Sequence, residues 1–318
     1  MDEALRVCMR VLRDNLALQK GEVFLALSHS DHDGELAELF AACANSFGAF
    51  ASTVKVVGSG RWKEPDKAVS AALRNADAVI SIASINKTDA ERAAREAGTR
   101  FIHCPFLRKD AFVRLMKADL AAISKKAHQF AEKMQSAEVL RMTSEIGTNF
   151  EVRIGGKPSF AHDGTAREKG TVGMIPPAQA ETAPVSGTAK GTIVADGYAR
   201  PWGVVSQPIK LQIRNGYIED ITGGREAKAI GDYLRAYEDK ETFACPAHIG
   251  PGFNQMARLC DNILEAFSVE GHMVVGIGAN TDLEGGDINA KGHTDVTLTN
   301  ADVFLDDEQV IRKGRILM

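Results

Sequence analysis

Short apolar runs alternate with amphipathic stretches over the first 125 residues of the chain. This alternation is typical of βαβ units, in which each helix carries the chain back so that successive strands form a parallel sheet. The pattern predicts strands at 22–27, 51–57, 78–82 and 99–104, and helices at 34–47, 65–75 and 89–98. We therefore expect the fold class to be α/β, with a doubly wound parallel-sheet domain at the amino-terminal end.

The hydrophobic pattern changes after residue 138. Residues 110–138 have helical spacing and many good helix formers, which predicts a helical segment that joins the two halves or packs across them. Beyond it, segments such as NFEVRIGG, GTIVAD and PIKLQIRNGYIEDITGG alternate apolar and polar residues and contain turn residues, as antiparallel strands do. We expect a Rossmann-like domain over 1–138 and a β-rich α+β catalytic domain over 139–318. The Gly- and Pro-rich stretch 158–191 is expected to be a long loop that folds over a cleft.

Charge and composition exclude several classes of partner. The 318 residues include 38 basic and 42 acidic side chains, a net charge of −4, without a basic stripe. Neither nucleic acid nor an anionic membrane surface is therefore an expected partner. No apolar run reaches the roughly 18 residues of a spanning helix, and the start MDEALRVCMR is charged, which predicts a cytoplasmic protein. The segment SHSDHDG lacks the GxGxxG spacing, so we expect no bound dinucleotide.

The histidines carry the candidate chemistry, because the five cysteines form no CxxC pair that would hold zinc. His293 and Asp295 are two apart on a predicted strand and therefore project to the same face. With one more imidazole they form the ligand set that binds non-haem Fe(II) and leaves other coordination positions free. His248, before a Gly-Pro-Gly turn, is the favoured third ligand. His272 is a rival third ligand, or a residue that orients the others.

A series of motifs in order along the chain resembles the 2,5-dihydroxypyridine 5,6-dioxygenase family, which is related to aminopeptidases of the aminopeptidase T type. The motifs are GTNFEVRIGG, TAPVSGTAKGTIVADG, PIKLQIRNGYIEDITGG, HIGPGFN, GIGANTDLEGG, GHTDV and VFLDDEQVIRKG. The resemblance implies a ring-cleaving dioxygenase with one Fe(II) per chain, held by His248, His293 and Asp295. It also implies a small aromatic substrate, dioxygen as co-substrate, and a homo-oligomer.

The resemblance is weaker around the substrate. Positions that align with further histidines and a hydroxyl of the family hold Lys87, Met174 and Gly276. A hydroxylated pyridine or a similar small aromatic is therefore the expected substrate class, and a lysine there would supply a proton or pair with a substrate carboxylate. We assign candidate catalytic roles to His272 and Lys87. Candidate substrate contacts are Asn280, Arg258 and Gly276.

Two other functions stay open at this point. A two-metal aminopeptidase would need additional glutamates, but Gln179 aligns with one of them and Glu181 lies two residues further on. A neutral amide is a poor ligand for a second divalent ion, which disfavours this alternative. A small-molecule binding protein without enzymatic activity is the other alternative. The glycines around all three candidate ligands argue against it, because each glycine costs conformational entropy on folding.

Overall fold

The structure is a computed structural model that describes residues 3–29, 34–56, 64–85, 88–105, 108–176 and 178–318. Within these ranges, helices α1 to α8 span Glu3–Arg10, Gly34–Ser46, Lys67–Arg74, Asp89–Glu96, Lys109–Leu115, Leu120–Ser136, Arg225–Arg235 and Ile263–Ser268. A π-helical segment, Val11–Asn15, follows α1, and a 3₁₀ turn, Lys240–Phe243, follows α7.

The described residues also contain strands β1 to β20. The first ten strands span Val23–His29, Phe50–Val56, Ala78–Ser81, Arg100–His103, Val139–Thr143, Asn149–Arg153, Ser159–His162, Val172–Met174, Gln179–Thr182 and Lys190–Ala195. The remaining strands, β11 to β20, span Tyr198–Ala199, Gly203–Val204, Ile209–Arg214, Tyr217–Thr222, Ile249–Pro251, Met273–Gly278, His293–Leu298, Asp302–Leu305, Glu308–Arg312 and Arg315–Ile316.

The first compact unit comprises the described residues up to Leu120 together with those of His162–Pro177. Its sheet has the order β2-β1-β3-β4-β8, and every neighbouring pair is parallel. Successive side chains of a strand point to opposite faces, and one face buries Leu25, Leu27 and Phe101 against residues of α3 and α4. Helix α2 contacts β1 and β2, and an edge-to-face ring pair joins it to α5. The predicted α/β domain with a parallel sheet is confirmed.

The helical segment predicted over 110–138 consists of two helices, α5 and α6, in the structure. The hydrogen bonds after α5 shorten from four residues to three, because Lys117 donates to the carbonyl of Arg114 and Ala118 to that of Leu115. This tightening ends the helix. The seventeen residues of α6 then bury an apolar stripe that includes Ile123, Phe130 and Met134.

The segment expected to form a long loop over 158–191 contains strands instead. Strand β8 pairs with β4 in the parallel sheet, which is why this part of the segment belongs to the first compact unit. Strands β7 and β9 belong to a sheet of the second unit. The expectation of a loop was therefore wrong where these strands lie, because Gly- and Pro-rich composition does not prevent short paired strands.

The second compact unit comprises Ala121–Ala161 and the described residues of Ala178–Met318. It contains an eight-stranded sheet, β14-β13-β10-β6-β5-β18-β19-β20, and a seven-stranded sheet, β12-β11-β17-β16-β15-β9-β7. The β-rich character predicted for this part is confirmed. The boundary between the compact units lies near residue 120, and the described residues of 162–177 belong to the first unit. The domain boundary at residue 138 stays a prediction. No helix in the described part of the chain is long and apolar enough to cross a membrane.

Candidate metal centre

Three neighbouring strands of the seven-stranded sheet bring the predicted ligands together. Strand β16 pairs with β17 so that Gly276 lies opposite Asp295 and Gly278 opposite His293. On the other edge of β16, Gly276 exchanges hydrogen bonds with the segment around His248, which immediately precedes β15. His248 and Asp295 are thus on either side of Gly276, one strand away in each direction.

Gly276 leaves the space that the ring of His248 occupies. A Cβ atom at this position would lie 2.3 Å from Cδ2 and 2.6 Å from Nε2 of His248. Carbon atoms in contact are normally about 3.5–4.0 Å apart, so no side chain fits there. The absence of a side chain lets the imidazole cross β16 and reach the carboxylate of Asp295.

The ligand atoms of the three residues face one another. Nε2 of His248 lies 3.0 Å from Oδ1 of Asp295, and Nε2 of His293 lies 3.1 Å from the same oxygen. The two imidazole rings are nearly parallel, with centroids 5.5 Å apart. All three ligand atoms lie within 4.8 Å of one another. Two imidazole nitrogens and one carboxylate oxygen are therefore close enough together to bind one cation.

An oxygen atom lies close to the far nitrogen of each imidazole. Nδ1 of His293 donates to the carbonyl of Ala279 at 2.8 Å, which leaves the lone pair on Nε2. Nδ1 of His248 lies 2.9 Å from Oε2 of Glu181. A carboxylate or carbonyl behind a ligating histidine fixes its tautomer and ring orientation and increases its basicity.

Asp295 is held on its second oxygen by Arg200. Nη1 of Arg200 donates to Oδ2 at 2.9 Å. The pairing of Ala199 with Val296 sets this register, and the backbone N–H of Arg200 donates to the carbonyl of Asp295. The carboxylate is 1% exposed and Arg200 is 12% exposed, so the pair is shielded from water.

Neighbouring charges shift the pKa values of two of the buried candidate ligands. Burial lowers the pKa of His248, but the negative charges of Glu181 and Asp295 outweigh it and raise the pKa to about 10. Burial raises the pKa of Asp295, but His293, His248 and Arg200 outweigh it and hold the pKa well below its ordinary value. The site is therefore electrostatically suited to hold positive charge between anionic side chains.

Two further side chains fix the backbone beside the ligands. The buried amide of Asn280 donates to the carbonyl of Ala247 at 2.8 Å and accepts from the N–H of Ile288 at 2.7 Å. The hydroxyl of Tyr233, on α7, donates to the carbonyl of His293 at 3.1 Å. Both contacts are made to the main chain at or next to a ligand. Asn280, predicted as a substrate contact, thus lies next to the ligand cluster.

Among the described residues, His272 is not part of the group formed by His248, His293 and Asp295. His272 precedes β16 and lies four residues from Gly276, roughly 13 Å away at about 3.3 Å per residue. Burial lowers the pKa of His272, and Asp196 opposes this shift. The side chain of Arg258 is exposed, and its backbone N–H donates to Glu265. Lys87 lies outside the described residues.

Sequence reasoning missed Arg200 and Tyr233, and it considered Glu181 only as a ligand for a second metal. Arg200 lies in GYARPWG, where no periodicity or motif marks it. Glu181 stands among apolar residues in QAETA, and a carboxylate in an apolar strand is a signal that could have pointed to a buried partner. Tyr233 lies on an amphipathic helix, where an aromatic residue is ordinarily part of the core.

Comparison with known sequences identifies the family. The sequence model of the 2,5-dihydroxypyridine 5,6-dioxygenase family matches residues 3–318. The chain belongs to this family. A curated relative, the 2,5-dihydroxypyridine 5,6-dioxygenase of Pseudomonas putida, is 29% identical over 202 residues, which cover 58% of this chain. The aligned part spans only 55% of that relative's own length.

Solved structures share the fold of this family member. The 2,5-dihydroxypyridine dioxygenase of Pseudomonas putida superposes with a TM-score of 0.85 at 21% identity, covering 100% of this chain and 98% of the other. Wild-type AmpT from Thermus thermophilus superposes with a TM-score of 0.69 at 16% identity, covering 99% of both chains. Both solved structures therefore share the overall fold of this chain, and the fold alone does not determine the function.

Proposed function

We propose that the protein is a non-haem Fe(II)-dependent, extradiol-type dioxygenase that opens the ring of a hydroxylated pyridine or a similar small aromatic. One Fe(II) per chain would be held by His248, His293 and Asp295. The observation that carries the proposal is the convergence of these three ligand atoms within 4.8 Å of one another, in a chain of the 2,5-dihydroxypyridine 5,6-dioxygenase family.

The donor set fits Fe(II). Two neutral imidazoles and one carboxylate on one side form the facial arrangement typical of non-haem Fe(II) oxygenases. The hydrogen bond from Nδ1 of His293 to Ala279 places its lone pair on Nε2, toward Asp295. The space above Gly276 is taken by the ring of His248, which is thereby kept in its position. The residues present thus match the ligand type, the number of ligands and the supporting contacts of such a site.

In the proposed ring cleavage, His248, His293 and Asp295 would hold the metal ion and leave room for the two reactants. A bound Fe(II) would supply the place where a hydroxylated ring and dioxygen meet and exchange electron density. Three protein ligands leave the remaining coordination positions for both reactants, which a closed four-ligand site would not. Asp295 contributes the negative charge, and His248 and His293 contribute neutral nitrogen ligands.

The alternative of a two-metal aminopeptidase would require further carboxylates at the site. Gln179, at the aligned position of one such glutamate, is at the start of β9 and forms a backbone bridge with Gly252. The carboxylate of Glu181 lies against Nδ1 of His248. Gln179 is thus a neutral amide at a position where the peptidase would need a carboxylate, and Glu181 is placed to orient His248. We therefore retain the dioxygenase proposal.

Metal content and oxygen uptake test the proposal. We expect about one iron per chain after purification without oxygen, its loss in His293→Ala, and its retention in His128→Ala, whose imidazole is exposed on α6. The loaded protein is expected to consume oxygen in the presence of hydroxypyridines. About two zinc, cobalt or manganese ions per chain and amide hydrolysis without oxygen uptake would assign the protein to the peptidases. A metal-free wild-type protein that still binds aromatics would make it a binding protein.

A further inference from the structure

The two oxygens of Asp295 have different surroundings. Oδ1 lies 3.0 Å and 3.1 Å from the Nε2 atoms of His248 and His293. Oδ2 accepts a hydrogen bond from Nη1 of Arg200 at 2.9 Å. The carboxylate therefore presents one oxygen to the ligand cluster and the other to a guanidinium group.

Arg200 is itself fixed by the sheet. Its N–H donates to the backbone carbonyl of Asp295, and its own carbonyl accepts a hydrogen bond from the hydroxyl of Thr294. These contacts join the main chain of Arg200 to the strand that carries the ligand, and the side chain adds a third contact. With 12% exposure the guanidinium has little freedom to leave. A flexible surface ion pair would not define the carboxylate plane in this way.

We infer that Arg200 is a positioning residue that makes Asp295 a one-oxygen ligand. The inference rests on the proposed metal centre. It gives a reason why coordination positions of that centre would stay open. Carboxylates bind metal ions through either one or both oxygens. Because Oδ2 accepts the hydrogen bond from Arg200, turning the carboxylate to offer both oxygens to the same ion would weaken that bond. One more position then stays free for the aromatic substrate or dioxygen.

An alternative role for Arg200 is charge compensation alone, because a buried carboxylate without a cationic partner is costly. The two roles differ in what lysine can replace. A lysine at this position keeps the positive charge, but its compact ammonium lacks the planar, preorganised donor geometry of a guanidinium. Positioning therefore requires arginine, whereas charge compensation is satisfied by lysine.

Binding of Co(II) to the full-length protein, followed by visible absorption, tests the inference without relying on activity. The intensity and position of Co(II) absorption depend on the number and arrangement of its ligands, so a changed spectrum reports a changed binding mode of Asp295. The variants are Arg200→Gln and Arg200→Lys. Arg214→Gln is the matched control, because this arginine is 70% exposed on β13 and pairs with Glu219.

We expect Arg214→Gln to match the wild type. Arg200→Gln should bind Co(II) roughly 10- to 100-fold more weakly, the usual effect of removing a partner of a metal ligand, and with a changed spectrum. Arg200→Lys should bind more tightly than Arg200→Gln but show the same changed spectrum. If Arg200→Gln does not fold, as judged by circular dichroism and urea unfolding, Arg200→Lys decides the outcome, because it leaves no unpaired buried charge.

Two outcomes would overturn the inference while leaving the metal centre intact. Wild-type affinity and spectrum in both folded variants would show that Arg200 does not act on the metal ligand. A weaker affinity with an unchanged spectrum would assign Arg200 a role in charge alone. A wild-type protein that binds no Co(II) would instead contradict the proposed metal centre itself, so the two failures are distinguishable.

Discussion

A single missing side chain determines where the ligands meet. Gly276 faces the ring of His248, and the backbone of β16 on which it lies also pairs with Asp295. The imidazole crosses the strand because nothing projects from it at that point. The glycine is required here for close approach of a neighbouring side chain rather than for an unusual backbone angle.

Gly276→Ala should therefore displace His248. The added methyl would lie 2.3 Å from the ring, so we expect metal affinity to fall about tenfold or more and stability to fall by about 1–3 kcal/mol. Titration with Co(II) and urea unfolding measure the two effects. Gly34→Ala is the control, because a methyl there meets no described atom closer than Ser28 Oγ at 4.0 Å. Unchanged metal affinity in Gly276→Ala would show that His248 is not a ligand in this position.

The buried side chain of Asn280 holds two main-chain segments next to the candidate ligands. Asn280→Ala would leave the carbonyl of Ala247 and the N–H of Ile288 without their partner. We expect the free energy of unfolding to fall by about 2–3 kcal/mol, since each unsatisfied buried group costs about 1–3 kcal/mol. Asn300→Ala, an exposed amide of the same unit, should change it by less than about 0.5 kcal/mol. Equal urea midpoints for both variants would contradict the structural role of Asn280.

At the scale of elements, the register between β16 and β17 decides which histidines become neighbours. His293 and Gly278 face each other at one end of the pair, and Met273 and Leu298 at the other. His272 precedes Met273 and so lies at the end away from His293. Because a strand is an extended, stiff element, the residues at its two ends do not meet.

His272→Gln should consequently leave the metal affinity unchanged. The reason is its separation of four residues from Gly276 along the strand, whereas a ligand or its direct partner must be within hydrogen-bonding distance. Titration of the variant with Co(II), beside His293→Ala as the positive control for loss, provides the measurement. A tenfold weaker affinity in His272→Gln would mean that this end of β16 acts on the metal centre.

For the molecule as a whole, stability also depends on buried charges that are not among the candidate ligands. Glu226, at the start of α7, is 2% exposed and accepts hydrogen bonds from Arg225 and Ser206. The guanidinium of Arg225 is the main cause that lowers the pKa of Glu226 to about 2, against an ordinary value of 4.5. A carboxylate at the first turn of a helix is also favoured by the helix dipole.

The lowered pKa makes stability depend on acid pH. The folded state binds the proton of Glu226 less tightly than the unfolded state, so its contribution is complete above about pH 4.5 and is lost as the pH falls toward about 2. Glu226→Gln should therefore lower the free energy of unfolding at pH 7. The difference in free energy of unfolding between the variant and the wild type should become smaller in acid. Urea unfolding at several pH values measures this, with exposed Glu219→Gln as control. A constant difference across the pH range would contradict this account.

The features that could be predicted from the sequence are the local ones. Apolar runs and helical spacing predicted the parallel sheet and the β-rich second half, because both depend on periodicities of neighbouring residues. The spacing of His293 and Asp295 predicted a shared face for the same reason. The motifs in order predicted the family, which the match over residues 3–318 confirms. The assignment of His248, His293 and Asp295 as ligands stays a prediction, supported by their geometry.

Contacts between distant segments could not be predicted from the sequence and are visible only in the folded chain. The pairing of β15, β16 and β17 brings His248 opposite Gly276, and it separates His272 from them. Arg200 contacts Asp295, which is 95 residues away in the sequence. Glu181 contacts His248, which is 67 residues away. Such contacts are made across strand pairs whose register is fixed by the whole sheet, and no local pattern of residues encodes them.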